Sequence, residues 1–242
     1  MKCLILAAGY GTRMQAVTGD VPKALIRLGE QTILDLLMRR LIELEIECTL
    51  VTNQKYHDQF AFWRSTRGMT LDILNNGSEH VDDRLGAVGD ICFALDTGNL
   101  DEDLLIVAAD TLFDFPLQGI VQAFHQNRRA HVAVRHNPDL NDLRRRGVVE
   151  VDQRGRITAF TEKPDQPASR LAAAPLYLLP QELLHEPARY LSAGGKPDAP
   201  GFLIEYLVEH HPLYAWQMPG DIRDVGNPDS YAAALAHLAE SD

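Results

Sequence analysis

Two rhythms of apolar residues alternate along the first half of the chain. Short, largely apolar runs at 2–7, 48–52, 69–74 and 103–108 have the length of strands buried in a sheet. Between them, apolar residues recur every third or fourth position. Residues 32–45 place Ile33, Leu36, Leu37, Leu41 and Leu44 at helical spacing, with Arg39, Arg40, Glu43 and Glu45 largely between them. A second helix is predicted at 55–66, with Phe60 and Trp63 on its buried side, and a third at 85–95, with Val88, Ile91 and Cys92 on one face. Strand alternating with helix requires crossover connections and parallel pairing. The pattern therefore predicts an α/β fold, Rossmann-like and doubly wound, with a mostly parallel mixed sheet and a ligand at the carboxyl ends of its strands.

A helix at 116–127 and a strand at 130–135 continue this order. The rhythm then shortens to two. Residues 148–151 and 157–161 alternate polar and apolar around the turn 152–155, which predicts an inserted hairpin. A strand at 172–179, short helices over 180–191 broken at Pro187, an irregular loop at 193–201, a helix to 210, a strand at 213–218 and a helix at 228–239 complete the reading. No internal repeat or low-complexity stretch is present.

Composition narrows the partners. The 242 residues suit one large α/β domain and carry 45% hydrophobic and 24% charged residues, an ordinary globular balance. A formal net charge of -11 argues against a nucleic-acid surface, and the longest basic run is Arg144-Arg145-Arg146. If the ligands are phosphates, their attraction has to be local. Cys3, Cys48 and Cys92 are odd in number and widely spaced, as in a reducing compartment, and no apolar run approaches the roughly 20 residues of a membrane span. A cytoplasmic protein is expected, and a homo-oligomer stays open.

The chemistry concentrates at the N-terminus. The first predicted strand stops at Ala8-Gly9-Tyr10-Gly11-Thr12, where glycines allow positive φ and bring successive N–H groups onto one anion. Arg13 and, after Pro22, Lys23 add fixed cations. Met14 replaces the third glycine of a dinucleotide-binding fingerprint, and the G-K-[ST] of a P-loop is missing. The composite Leu6-Ala7-Ala8-Gly9-x-Gly11-Thr12-Arg13-Met14 with Pro22-Lys23-Ala24-Leu25 resembles the signature of the sugar-1-phosphate nucleotidylyltransferases, which join a nucleoside triphosphate to a sugar 1-phosphate and release pyrophosphate.

That resemblance implies a GT-A-like nucleotidyltransferase fold, with a nucleotide-binding half at 1–136 and a sugar-phosphate-binding half at 137–242; with no hexapeptide repeat in the sequence, the C-terminal β-helix that some relatives carry is not expected. It implies nucleotide contacts from Leu6, Ala7, Ala8, Gly9, Gly11 and Thr12, with Arg13 and Lys23 as catalytic cations. Mg²⁺ is implied on Asp110, after the fourth strand, with Asp114 as a local rival, and on Asp224, with Asp221 as its rival. Ile222 and Asn227 depart from the tryptophan and threonine that relatives carry there. Glu162-Lys163-Pro164 resembles the family's E-K-P, implying that Glu162, Lys163 and Gly147 bind the sugar phosphate. Gly86 matches the glycine that opens a helix beside the base. Asn76 suits either a base contact or an Asn-Gly turn. Neither base nor sugar is fixed by these residues. A cytidylyltransferase acting on phosphocholine or another non-sugar phosphate, and a non-catalytic nucleotide-sugar-binding paralogue, remain alternatives. A glycosyltransferase is disfavoured because Asp110-Thr111-Leu112 is no D-x-D. The nine histidines show no metal-ligand spacing, so zinc is not expected.

Overall fold

The computed structural model describes residues 1–12, 19–225 and 227–241, with the backbone alone at 224, 228 and 237–241. The strands are β1 (Lys2–Leu6), β2 (Arg27–Leu28), β3 (Gln31–Thr32), β4 (Glu47–Thr52), β5 (Asp72–Asn75), β6 (Leu104–Ala108), β7 (Thr111–Phe113), β8 (Ala130–His136), β9 (Gly147–Val151), β10 (Ile157–Glu162), β11 (Leu171–Leu179), β12 (Leu213–Gln217) and β13 (Ile222–Asp224). The main sheet runs β10-β9-β11-β6-β1-β4-β5, and β8 joins it at β11 with β12 beyond. β6, β1, β4 and β5 are parallel. This is the α/β, mostly parallel mixed sheet that the pattern predicts.

Alternation along each central strand feeds two core layers. Cys3 and Ile5 of β1, with Leu105 and Val107 of β6, face one layer beneath the helices Ile33–Ile42 and Gln118–Asn127. Leu4, Leu104 and Ile106 face the other, against the helices Gly86–Thr97 and Pro200–His210. Thr32 caps the first of these helices instead of lying within it. Its hydroxyl accepts from the Asp35 N–H, and the Asp35 carboxylate accepts from the Thr32 N–H.

Several expectations need correction. β8 does not continue the parallel order: β11 lies between it and β6 and runs antiparallel to both. β11 is nine residues long and almost wholly apolar, and an apolar run carries no sign of strand direction. Its pairing with β8 shifts register between Ala173 and Tyr177, around Pro175, which has no N–H to give the ladder. The expected strand 69–74 lies at Asp72–Asn75. Pro187 does not break a helix; it sits in the first turn of the helix Glu186–Ser192, where a missing N–H costs nothing. Two small ribbons went unforeseen, β2 with β3 and β7 with β13. The second matters most, because its register sets Asp224 opposite Thr111, one residue from Asp110.

Candidate active site

The chain leaves the sheet at the carboxyl end of β1. Ala7 N–H donates to Val51 and Leu6 accepts from Ala109, so the turn that follows starts between β4 and β6. The Ala8 carbonyl accepts from Asn53 Nδ2 at 2.9 Å, and the Tyr10 carbonyl from the Tyr56 hydroxyl at 3.2 Å. In a planar trans peptide the carbonyl and the next N–H point oppositely. Tying those two carbonyls toward Asn53 and Tyr56 therefore turns the N–H groups of Gly9 and Gly11 the other way. The N–H groups of Gly9, Tyr10, Gly11 and Thr12 have no partner among the described residues. Gly11 needs its glycine for a φ of +60°, whereas Gly9 faces open space where a Cβ would stand. The result is a cluster of free donors able to hold an anion.

Leu6, Ala7, Ala8, Gly9, Gly11 and Thr12 line a cleft of about 490 Å³ together with Lys23, Asn76, Gly86 and Asp110. Lys23 begins a short 3-10 turn after Pro22, and its ammonium donates to Asp110 Oδ2. These side chains are 16% and 31% exposed, so the pair is accessible from the cleft. Asp224 comes to the same place by its backbone: the Val225 N–H reaches the Asp110 carbonyl at 3.4 Å. The rivals are otherwise engaged. Asp114 accepts from the Asp221 N–H at 2.8 Å, and the Asp221 carboxylate meets Arg135 at 3.4 Å. Arg13 lies outside the described residues. Among the described residues no cluster of three histidine, cysteine or carboxylate side chains is set to hold a metal ion.

At the far wall, Gly86 has a φ of +75° and a Cβ there would lie 2.6 Å from the Pro197 carbonyl, so the loop 193–199 packs directly on the helix start. Asn76 borders the cleft with both ends of its amide engaged: Oδ1 accepts from the Ser78 N–H and hydroxyl, and Nδ2 donates to Asp90. The turn role is shared with Asn75, whose Oδ1 accepts from the Gly77 N–H. Burial pushes the Asp90 carboxyl up to about 6, against the bond from Asn76. Arg84 pairs with Asp198 across the mouth at 3.1 Å.

Gly147, Glu162 and Lys163 form a second group that does not border this cleft. Gly147 pairs with Glu162 in the hairpin, and a Cβ on it would strike the Phe160 ring at 2.3 Å. The Glu162 carboxylate is raised above its ordinary range by burial, with Lys163 opposing, and it lies where a Cβ on Gly201 would be 1.9 Å away. Lys163 holds a φ of +53°, rare for a side-chain-bearing residue, while its N–H donates to the Arg146 carbonyl. Arg146 itself is bound to Asp142 at 2.7 Å. The two groups meet through one helix start: Pro200 borders the cleft and Gly201 abuts Glu162. Sequence reasoning missed Asn53, Tyr56, Asp90 and Gly201. An asparagine at the carboxyl end of the second strand was the one visible signal.

A doubly wound sheet with a donor-lined glycine turn, a lysine and an aspartate at its carboxyl edge defines a phosphate-handling α/β protein. The chain belongs to the nucleotidyl transferase family, whose sequence profile matches residues 2–241. Similar proteins include a UTP–glucose-1-phosphate uridylyltransferase of Haloferax volcanii, 25% identical over 76% of this chain and 74% of that protein. Another, of the same description, comes from Synechocystis and is 25% identical over 97% of this chain, which spans 62% of that longer relative. A crystal structure of UDP-glucose pyrophosphorylase complexed with UDP-glucose superposes with a TM-score of 0.83 at 20% identity, covering 100% of this chain and 99% of that one, and shows the same fold.

Proposed function

We propose that the protein transfers a nucleotidyl group from a nucleoside triphosphate to a sugar 1-phosphate, giving a nucleoside diphosphate sugar and pyrophosphate. The observation that carries this reading is the turn from Gly9 to Thr12, with the N–H groups of Gly9 and Gly11 turned away from Asn53 and Tyr56, together with Lys23 and Asp110 at the same cleft, in a chain of the nucleotidyl transferase family. Residues from two separate groups then have two phosphates to hold.

The attacking oxygen belongs to a phosphate that is already anionic, so no general base is required. The barrier lies in bringing two polyanions together, and positioning with charge neutralisation lowers it. Lys23 and Arg13 take the triphosphate with the glycine turn. Lys163 takes the sugar phosphate, and Glu162 accepts from sugar hydroxyls beside Gly147. Mg²⁺ suits the remaining donors: the Asp110 carboxylate is a hard oxygen ligand open to the cleft, and its pairing with the Lys23 ammonium supports a cation at that carboxylate. With Asp224 as the second ligand, Mg²⁺ would neutralise phosphate oxygens of both reactants. Free Cys3, Cys48 and Cys92 support a cytoplasmic setting.

The test is a panel of five nucleoside triphosphates against several sugar 1-phosphates and phosphocholine with Mg²⁺, read as pyrophosphate release. At least one sugar 1-phosphate pair should turn over. Lys23→Ala should then lose on the order of a hundred- to thousandfold in turnover, as for one lost transition-state donor. Release with phosphocholine alone, or a Lys23→Ala enzyme of near-normal turnover, would overturn the assignment.

A further inference from the structure

The turn after β1 anchors phosphates, and Asn76 follows β5, two strands away in the order β1-β4-β5. Two strand spacings are about 10 Å, roughly the reach from a nucleotide's α-phosphate to its base. What Asn76 presents at that distance depends on which way its amide faces, and the surrounding bonds decide this. The Ser78 main-chain N–H only donates, so the amide atom 2.9 Å from it is the oxygen. The Ser78 hydroxyl reaches the same oxygen at 2.9 Å. Tyr10 donates its own hydroxyl to Ser78 Oγ at 3.2 Å, which leaves the Ser78 hydroxyl hydrogen for Asn76. Both lone pairs of Asn76 Oδ1 are thereby used.

On the other side, Asn76 Nδ2 lies 2.6 Å from Asp90 Oδ1. With its carboxyl titrating at about 6, Asp90 is ionised at the usual assay pH of 7 to 8 and only accepts. One Nδ2 hydrogen goes to Asp90. The second has no partner among the described residues, and Asn76 and Asp90 both line the cleft. Turning the amide over would set its oxygen against a carboxylate and its NH₂ against the Ser78 main-chain N–H.

We infer that Asp90 is a positioning residue for nucleobase selection: with Ser78 it pins the Asn76 amide so that one N–H, and no lone pair, faces the cleft, and the base docks there through an acceptor atom, a carbonyl oxygen or ring nitrogen. This rests on the nucleotidyl-transfer reading and adds to it a rule of selection. A free asparagine serves either kind of base edge by rotating its amide; a pinned one rejects a base that offers N–H at that atom, because two donors then face each other. Asn at position 90 would keep the shape but remove the acceptor-only partner of Nδ2, so the Asn76 amide would be oriented by Ser78 alone.

The experiment measures dissociation constants for UTP, dTTP, CTP, GTP and ATP by titration calorimetry, with the wild type, Asp90→Asn and Ser78→Ala, each first shown to be folded by its melting transition. The wild type should hold its best nucleotide about tenfold or more tighter than the nucleotide of the same ring type with the opposite edge polarity. Asp90→Asn should compress that spread to about threefold, and Ser78→Ala should shift it in the same direction by less. A merely structural role for Asp90 would lower the melting point without changing the ratio between nucleotides. If the wild type holds all five alike, or Asp90→Asn keeps the wild-type ranking and spread, the inference is overturned while the transfer reaction stands. If no nucleotide binds the wild type, the reading of the cleft falls and this inference with it.

Discussion

Asn53 and Tyr56 show how far single atoms outside the cleft govern it. Neither faces the proposed ligand, yet by holding the carbonyls of Ala8 and Tyr10 they set the direction of the N–H groups of Gly9 and Gly11. Asn53 is fully buried and also accepts from the Tyr56 N–H at 3.0 Å, so the two residues brace each other. Tyr56→Phe removes one oxygen and little packing. Affinity for inorganic tripolyphosphate, measured by calorimetry, should fall about five- to tenfold, the worth of one hydrogen bond. Unchanged affinity would show that the turn keeps its direction without that bond. Gly11 was legible in the sequence because its positive φ leaves a compositional trace. Asn53 was not, since its partner lies 45 residues away and an asparagine after a strand looks like any turn.

Among elements, the junction of the hairpin with the helix Pro200–His210 is the tightest place near the cleft. Gly201 stands in the first turn of that helix, where alanine is ordinarily better by about 1 kcal/mol. Here its Cβ would fall 1.9 Å from Glu162 Oε2, so the carboxylate would have to move. Gly201→Ala should therefore raise KM for the sugar phosphate about tenfold and leave KM for the nucleotide nearly unchanged. Steady-state kinetics with each substrate varied in turn checks this, and equal effects on both constants would contradict the placement of Glu162. Periodicity announced the parallel strands and the helices, because burial on two faces or one stripe is written into each segment. It was silent on the direction of β11, which depends on partners, and on the ribbon of β7 with β13, three residues on each side and separated by over a hundred positions.

For the whole molecule, acid stability depends on two buried carboxylates that the site does not use. Burial works against the charge of Asp35, but the Thr32 backbone N–H, the Trp63 indole and the Arg67 guanidinium outweigh it and hold its carboxyl below the ordinary range. Glu186, with a side chain 1% exposed, is likewise opposed by burial and held low by His211, Tyr206 and His185, so two of the nine histidines have structural work at one carboxylate. A carboxyl with a lower pKa in the folded than in the unfolded chain stabilises the fold above its unfolded pKa. That stability drains away as pH falls through the folded value. Urea unfolding from pH 5 to pH 3 should show a steep loss of stability, and a double variant, Asp35→Asn with Glu186→Gln, should show a shallower one. Equal slopes would remove both groups from the account.

At the same scale, a chain of net charge -11 that handles two anions does so through a few local groups, and the glycine turn and the hairpin were both visible in sequence as separate candidate groups. Their meeting at Pro200 and Gly201 was not, because it depends on the crossing of distant segments. The most direct test of the central claim compares pyrophosphate and nucleotide-sugar formed from the productive pair with Mg²⁺, with each substrate omitted in turn. The two products should appear in equal amounts and vanish when either substrate is left out. Pyrophosphate released at the same rate without the sugar 1-phosphate would contradict a two-substrate transfer and leave a cleft that only hydrolyses its nucleotide.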